Sequence, residues 1–326
     1  MSSERARSGE ILFVKSVKDG IPNRDPLRDS DARRLFGEDD GRISLSDVSI
    51  KRDVRDYVLA QYPDGGPNKN LFVFVRKEFA ETGKLRGRES LAQVLVERAY
   101  GERKKEVDPK KFFAAAFDAR VFGVVFSVGG QAFNQVGPVQ FGWAHSLHPV
   151  ETKYVQGTVV MPSREGEGEH AEGEQGATMG TIWSTYTCPF AVFAMPAVVS
   201  AAIAEATGMS QADVDLLLEA LWKGTIARQA RGRGIQQPLL LLHVEYTDPF
   251  FRIGFLEEAV KIQPDRDAWL GPKPPTSLSE VTLDVTVLAQ RLCEAATKVA
   301  RVRLWTEPHL SVTGTIEAER CSWATA

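Results

Sequence analysis

Apolar residues fall into short runs that are separated by polar and glycine-rich segments, a pattern that predicts a mixed α and β protein. The first apolar run covers residues 11–14, and Asn-Arg-Asp-Pro follows at 23–26. Asn and Asp favour local turns and Pro lacks the backbone N–H of a strand ladder, so this tetrapeptide does not continue a strand. We therefore predict that the first strand ends between Lys15 and Asp19.

Residues 46–60 predict a helix with one apolar face and one basic face. Ser46 is a favourable N-cap residue. The apolar residues recur at helical spacing, namely Ile50, Val54, Tyr57 and Val58, and the cations on the other side are Lys51, Arg52 and Arg55. The simplest interpretation is a solvated face with ion pairs four residues apart, each contributing about 0.2–0.5 kcal/mol. A binding site for an anion is the alternative.

Further runs predict strands and helices in alternation, with uneven spacing and long insertions. Strands are expected at 71–75, 117–126, 182–193, 239–246, 281–287 and 302–305, and helices at 89–99, 196–207, 210–222 and up to 300. The four prolines between 264 and 277 predict a segment that crosses the surface. This order fits an α+β fold with a ferredoxin-like or RRM-like sheet better than a doubly wound nucleotide-binding fold.

Composition restricts the class of protein. With 326 residues and 43% apolar content the chain can bury one large core or two modest ones. Residues 1–10 lack the apolar segment of a signal peptide, and no apolar run approaches the length of a membrane span, so we expect a cytoplasmic protein without a membrane partner. The scattered cysteines at 188, 293 and 321 predict no disulfide framework.

The net charge of −3 argues against a free-standing nucleic-acid binder, because affinity for phosphates comes largely from Lys and Arg. Residues 163–177, however, contain five Glu and one Arg, and carry a net charge of −4. The rest of the chain is slightly positive, and its cations are grouped. Local charge therefore leaves a nucleic-acid partner open.

A second basic segment, residues 227–238, is interrupted by glycines and leads into the apolar run 239–246. Its arginines are Arg228, Arg231 and Arg233, and a guanidinium group can donate two parallel hydrogen bonds to phosphate oxygens. A flexible, solvated loop is the alternative interpretation.

Four motifs together resemble the Cas-seven family, the RNA-binding backbone subunits of CRISPR surveillance complexes. The first is the turn Asn23-Arg24-Asp25 followed by the basic helix; the second is Gly137-Pro138-Val139-Gln140-Phe141 with Trp143 beyond it; the third is Thr178-Met179-Gly180; and the fourth is the basic loop before Leu242-His243-Val244-Glu245-Tyr246. The resemblance extends from residue 11 to about residue 262.

The resemblance implies a modified RRM-like or ferredoxin-like palm that carries finger and thumb insertions. Residues 1–128 would form the first part of the palm with a finger, 129–180 a thumb-like insertion with the acidic loop 163–177, and 181–326 the remainder of the palm with C-terminal elements. It also implies that copies stack head to tail along a CRISPR RNA (crRNA) within a type I Cascade complex, most similar to subtype I-B, together with other Cascade subunits. The guide would pair with target DNA.

The resemblance also implies which residues contact RNA. Its RNA contacts would come from Asn23, Arg24, Lys51, Arg52, Arg55, Gln140, Phe141, Met179, Arg228, Arg231, Arg233 and Gln237. Met179 would mark a wedge beside a displaced base, for which an unbranched, polarisable side chain is suited. No cofactor, metal or catalytic residue is implied. His145, His148 and Cys188 have no spacing that favours a metal site.

Two alternatives remain at this point. A type III relative would cleave RNA with a metal held by loop aspartates, for which Asp25, Asp29 and Asp31 are available. An unrelated globular protein would match these motifs by chance. The chain departs from the family pattern in having Asn-Arg-Asp where Asn-Gly-Asp is common, in its Glu-rich insertion, and in lacking Gly-Leu-Tyr after Tyr186.

Overall fold

Strand β1 (Gly9–Lys18) is the centre of the fold in the computed structural model, which describes residues 4–101, 106–128, 131–158 and 182–323. It pairs antiparallel along its whole length with β9 (Phe190–Val199) on one side and with β10 (Ile235–Tyr246) on the other. Nine of its ten residues are buried. A strand that is covered on both faces needs a nearly continuous apolar sequence, and this explains the run at 11–14.

The other strands are short or form hairpins. They are β2 (Ser44–Leu45), β3 (Gly123–Val128), β4 (Gln131–Val136), β5 (Val139–Phe141), β6 (Ala144–Ser146), β7 (Lys153–Thr158), β8 (Ile182–Thr187), β11 (Lys261–Gln263), β12 (Thr282–Asp284), β13 (Val299–Thr306), β14 (Ser311–Thr313) and β15 (Glu319–Arg320). The main sheet has the order β15-β13-β10-β1-β9-β6-β2, and β5 also pairs with β9. A smaller sheet has the order β11-β12-β14, and β3–β4 and β7–β8 are two-stranded.

Helices cover the main sheet and build a lobe beside it. They are α1 (Asp47–Gln61), α2 (Arg88–Tyr100), α3 (Pro109–Ala115), α4 (Phe117–Phe122), α5 (Ala201–Thr207), α6 (Gln211–Ala227), α7 (Arg266–Leu270) and α8 (Thr286–Glu294). Short 3-10 helices occur at Leu256–Ala259, Leu278–Glu280 and Ala296–Lys298. None of the helices in the described ranges is long and apolar enough to cross a membrane.

The alternation of β1 side chains divides the interior into two cores. Ile11 and Phe13 face α1 and α6, whereas Leu12 and Val14 face the layer that contains α8 and the small sheet. A third apolar cluster fills the lobe built by α2, α3 and β3, around Phe112. The structure is therefore a mixed α and β fold with several sheets, in which the main sheet is the middle layer.

Helices α1 and α6 approach each other closely at Gly224. A Cβ atom at this position would lie 2.4 Å from the backbone oxygen of Asp53 on α1. Only glycine allows such an approach without a shift of one helix. Asp53 is consequently held at a fixed distance from α6 and from the loop that follows it.

Several expectations from the sequence are confirmed. The strand at β1, the basic helix α1 with its buried stripe, the helix α2, and the run that becomes β10 all occur where predicted. Helix α6 begins with the expected Ser210 cap, which forms a reciprocal capping box with Asp213. Ser46 occupies the N-cap position of α1, but its side chain makes no capping hydrogen bond.

Four strand predictions need correction. Residues 71–75 form only an isolated bridge between Phe72 and Ala116, and residues 117–126 divide at Gly123, whose positive φ of 82° ends α4 before β3 begins. Residues 182–193 divide into β8 and β9. The first turn of the helix expected at 196–207 belongs instead to β9, and residues 281–287 divide into β12 and the start of α8. Three of the four errors joined two elements across a short turn. The turn signals Gly123 and Pro189 stand at two of these divisions.

We expect Gly224→Ala to destabilise the fold by about 1–3 kcal/mol, because the new methyl group forces α1 and α6 apart. Helix propensity alone would give the opposite sign, a gain of about 1 kcal/mol. The measurement is urea unfolding of the whole chain. Gly87→Ala is the control, since a Cβ there meets no atom within 4 Å. A Gly224→Ala variant as stable as the wild type would contradict the close approach.

Candidate nucleic-acid interface

A basic cleft of about 760 Å³ opens at the N-terminal end of α1. Its walls are the loop that follows β1, the first two turns of α1 and the loop between α6 and β10. Seven arginines line it, namely Arg24, Arg33, Arg52, Arg55, Arg228, Arg231 and Arg233. Among the described lining residues, Asp47 is the one carboxylate, and it accepts a hydrogen bond from Lys51 at 2.7 Å. The cleft is therefore strongly positive.

The floor of the cleft is organised by Asp53, which is completely buried. Arg233 donates to both of its carboxylate oxygens at 2.7 and 2.9 Å, and Arg228 donates to one of them at 2.7 Å. Lys15, from β1, lies 3.3 Å from the carboxylate and donates to Gln236 at 2.8 Å. One carboxylate thus binds three cations from two different segments, which leaves excess positive charge beneath the cleft.

Burial changes the titration of Lys15. Loss of hydration disfavours the ammonium form and lowers the pKa of Lys15 from 10.5 to about 8, although Asp53 acts in the opposite direction. The neighbouring guanidinium groups of Arg233 and Arg228 add to the lowering. Burial also lowers the pKa of Arg233.

A second buried carboxylate, Asp118, orients Arg55. It accepts from Arg55 Nε at 2.8 Å and from the backbone N–H groups of Phe74 and Val75 at 2.7 and 3.1 Å. The loop at 74–75 is thereby fixed against α1. Arg55 is largely buried, and it is one of the residues that line the cleft.

Asn23 supports the start of α1 rather than projecting into solvent. With its amide oriented so that the oxygen faces donors, it accepts from the backbone N–H of Ser46 and from Arg33 Nε, both at 3.2 Å. Arg33 Nε also lies 3.3 Å from the backbone oxygen of Arg24. The turn predicted at 23–26 therefore caps the helix from outside and positions two arginines.

Among the predicted contacts in the described part of the chain, Arg52 and Arg231 are the most accessible. Arg52 is 41% exposed and pairs with Asp56 at 2.7 Å, one turn along α1. Arg231 is exposed, and its guanidinium carbon lies 4.9 Å from the centre of the Trp183 ring on β8. Both keep donors that an anion in the cleft can bind.

Four predicted contacts among the described residues do not line the cleft. Lys51 pairs with Asp47 beside it, as the simple ion-pair interpretation expected, and Gln140 donates to the backbone oxygen of Gly137 at 2.8 Å. Gln237 donates to Glu307 at 2.8 Å, and Phe141 is buried with its ring 6.1 Å from that of Phe122. Met179 lies outside the described residues. Trp143, on the same segment as Phe141, does line the cleft.

The loop aspartates have local structural roles. Asp25 Oδ1 accepts from the backbone N–H of Leu27 at 3.0 Å, Asp31 Oδ1 accepts from that of Ala32 at 2.6 Å, and Asp29 has a positive φ of 50°. In the described ranges, no group of three or more His, Cys, Asp or Glu is placed to bind a metal. His148, one of the metal ligands weighed from the sequence, stacks on Trp269, and burial lowers its pKa to about 4.

The sequence interpretation missed the residues that organise the cleft, Asp53, Asp118 and Arg33. The sequence does contain a signal for Asp53 and Asp118. Asp53 lies between Ile50 and Tyr57 on the apolar stripe of α1, and Asp118 lies inside an apolar run. A lone carboxylate among buried positions requires a partner, so each of them indicates a buried ion pair.

Comparisons with known proteins agree with the resemblance. Residues 7–286 match the family model described as CRISPR-associated protein Cas7. Over 317 residues the chain is 28% identical to a CRISPR-associated protein Cas7 of Haloferax volcanii, with 89% of this chain and 84% of the relative covered.

A solved structure with a TM-score above 0.5 shows the same fold. A chain of a CRISPR RNA-guided surveillance complex in a pre-nicking state is similar with a TM-score of 0.58 and 16% identity, over 97% of this chain and 96% of that one. A chain of another CRISPR RNA-guided surveillance complex gives a TM-score of 0.47 at 16% identity, over 96% and 95% of the two chains.

We expect Asp53→Asn to cost about 3–5 kcal/mol of folding free energy, because it leaves the buried Lys15 and Arg233 and the partly buried Arg228 without their carboxylate. Asp56→Asn, one turn along α1 and partly exposed, is the matched control and should cost less than about 1 kcal/mol. Chemical denaturation measures both. Equal effects of the two substitutions would show that Asp53 does not organise the floor.

The lowered pKa of Lys15 predicts that the stability of the fold rises with pH. Its pKa in the folded chain, about 8, is lower than its unfolded value of 10.5, so between these pH values the unfolded state binds more protons. The free energy of unfolding should therefore rise by as much as roughly 3 kcal/mol between these two pH values. Below pH 8 the buried Lys15 is charged, and its full destabilising effect is present.

The pH prediction is tested by following urea unfolding from pH 7 to 10.5 in the wild type and in Lys15→Met. The variant keeps the Asp53 pairs with Arg228 and Arg233 but should lack the rise. Lys223→Met, on the partly exposed face of α6, is the matched control. Parallel pH curves for wild type and Lys15→Met would contradict a buried, destabilised ammonium group.

Proposed function

The chain belongs to the CRISPR-associated protein Cas7 family, and on that premise we propose that its basic cleft holds the backbone of a CRISPR guide RNA. The family match and the shared fold together support a crRNA-binding backbone subunit of a type I Cascade surveillance complex. The observation that carries the proposal is the set of seven arginines converging on one cleft.

The arrangement of these arginines suits the recognition of phosphates. Guanidinium groups form paired hydrogen bonds to phosphate oxygens, and such contacts fix register without reading sequence. Arg52 and Arg231 offer exposed donors at the rim, while Arg228 and Arg233 are held on Asp53 at the floor. Backbone binding of this kind leaves the bases of the guide free to pair with target DNA.

Trp143 and Arg24 complete the proposed contact surface. Trp143 lines the cleft and offers an aromatic face on which a ribose or base can pack. Phe141, expected from the sequence to share this role, is left out of the proposal because its ring fills the core. Gln140 and Gln237 are left out because their amides are bound within the chain. The wedge assigned to Met179 stays a prediction.

We propose that the centre of the main sheet is a ferredoxin-like, RRM-related palm. The strands β10, β1, β9 and β6 are neighbours in that order, with α1 between β1 and β6 in sequence and α6 between β9 and β10. A strand-helix-strand-strand-helix-strand order with this pairing is that of the ferredoxin-like unit. In this proposal the lobe around α2 and α3 corresponds to the finger, and the β7–β8 hairpin, whose second strand lies beyond residue 180, to the base of the thumb. The boundaries at 128 and 180 stay a prediction.

We further propose that copies of the chain bind head to tail along the guide, together with other Cascade subunits. A repeated interface between unlike surfaces does not close on itself and generates a filament, which a linear RNA can template. The subtype that the basic loop resembles is I-B. The proposal assigns binding and no cleavage, since Asp25 and Asp31 are used as acceptors within their own loop.

The proposal is tested by the double substitution of Arg52 and Arg231 with Gln. We expect RNA affinity to fall at least about tenfold, because each charge-assisted hydrogen bond contributes about 1.5–3 kcal/mol. The slope of log K against log salt should fall in magnitude by about 1.4, the value for two phosphates of a single strand. Fluorescence anisotropy with repeat-derived RNA at several salt concentrations measures both.

The matched control is the double variant Arg28→Gln and Arg301→Gln, which removes the same charge from exposed ion pairs outside the cleft lining. It should leave the salt slope unchanged. If both double variants lose affinity equally, the cleft is not the RNA-binding surface.

A further inference from the structure

Two arginines of the cleft contact strand β8 of the β7–β8 hairpin. Arg24 donates to Thr185 Oγ1 at 2.5 Å, and the guanidinium of Arg231 stacks over Trp183 at 4.9 Å. The two arginines come from different loops, one after β1 and one after α6. Thr185 and Trp183 are separated by one residue and project from the same face of the strand. The hairpin is therefore held at two points by side chains that also line the cleft.

The path of Arg24 depends on a glycine. Gly232 has a positive φ of 72°, and a Cβ atom there would lie only 1.7 Å from the Arg24 guanidinium. The neighbouring backbone is fixed by a hydrogen bond from the N–H of Ile21 to the oxygen of Gly232 at 3.0 Å. Residue 232 thus provides the space through which Arg24 reaches the hairpin, and it links the two arginine-bearing loops.

The position of Trp183 is determined by the hairpin. Trp183 is directly opposite Gly157 in the β7–β8 register, and a Cβ atom at Gly157 would lie 2.5 Å from the indole ring. The indole therefore lies across the glycine and moves with both strands. A change in the orientation of the hairpin would carry the ring away from Arg231.

We propose that Arg24 with Thr185 and Arg231 with Trp183 attach the hairpin to the cleft, so that hairpin orientation and phosphate binding are coupled. Trp183 is a positioning residue in this scheme. A guanidinium offers its flat face to an aromatic ring and its edge to a phosphate at the same time. Phosphate binding and hairpin attachment therefore stabilise each other, and the effect is reciprocal by thermodynamic linkage. The phosphate half of the inference rests on the proposed function.

The attachment itself is tested without RNA, by amide hydrogen exchange of residues 182–187 in the complete chain. Trp183→Leu and Thr185→Val should each raise exchange in this strand, and Trp183→Phe, which retains a ring for Arg231, should largely restore the wild-type rate. Trp323→Leu is the matched control, since it removes another tryptophan that a cation, Lys223, approaches at 5.9 Å. Thr185→Val decides the question if Trp183→Leu fails to fold. Unchanged exchange in the decisive variant overturns the inference.

The coupling is tested by a double-mutant cycle with RNA. Trp183→Leu should weaken binding about two- to fivefold, the equivalent of one cation–π contact, and Trp183→Phe should recover most of the loss. In a chain that already carries Arg231→Gln, Trp183→Leu should cause little further loss, because its partner is gone. Losses that multiply would instead make Trp183 an independent contact with RNA and overturn the positioning role.

Arg52→Gln separates this inference from the proposed function, because Arg52 does not contact the hairpin in the interactions described above. If Arg52→Gln weakens RNA binding while Trp183→Leu changes neither exchange nor affinity, the attachment fails and the proposed function stands. If Arg52→Gln and Arg231→Gln leave RNA affinity unchanged while Trp183→Leu loosens β8, the RNA-binding cleft fails. In that case the raised hydrogen exchange establishes the attachment of the hairpin, and the unchanged RNA affinity rules out its coupling to phosphate binding.

Discussion

The buried carboxylate of Asp53 is the interaction on which the basic side of this structure depends. It draws Lys15 from the central strand and Arg228 and Arg233 from the loop before β10 to a single point beneath α1. Without this carboxylate, three cations would lie close to one another, two of them buried, and their mutual repulsion and loss of hydration would each favour an open loop. With it, the loop is closed, and positive charge is concentrated at the floor of a cleft. Gly224 supports the same arrangement, because it allows α6 to bring the loop to the right distance.

This organisation explains how a chain with a net charge of −3 can present a surface for an anionic polymer. The arginines at the floor of the cleft are fixed by buried acids, and these acids are screened from the cleft by the cations that they bind. Asp118 holds Arg55 in place through a hydrogen bond, as Asp53 holds Arg228 and Arg233. Preorganised donors lose little conformational entropy when a phosphate arrives, so fewer exposed arginines are needed than a flexible basic tail would require.

Much of the fold and of the arginine set could be predicted from the sequence, because both produce local patterns. The apolar run of β1, the amphipathic stripe of α1 and the glycine-interrupted arginines at 228–233 are visible without coordinates. The placement of Phe141 and Gln237 could not be predicted, since alternate residues of a strand face opposite sides and only the tertiary register decides which side meets the cleft. Trp183 was missed for a similar reason. Its importance comes from Gly157 and Arg231, which are distant from it in sequence.

The two-sided pairing of β1 has a consequence for the order in which the molecule can be made. Strand β1 leaves the ribosome long before its two partners, because β9 and β10 end at residues 199 and 246. At typical synthesis rates of about 5–20 residues per second, this apolar segment waits roughly 10 to 50 s for its partners. During that interval its unpaired edges are exposed to other chains. The central sheet cannot form until β10 has been synthesised. The yield of folded protein in cells should therefore depend strongly on chaperones that bind β1 as it emerges.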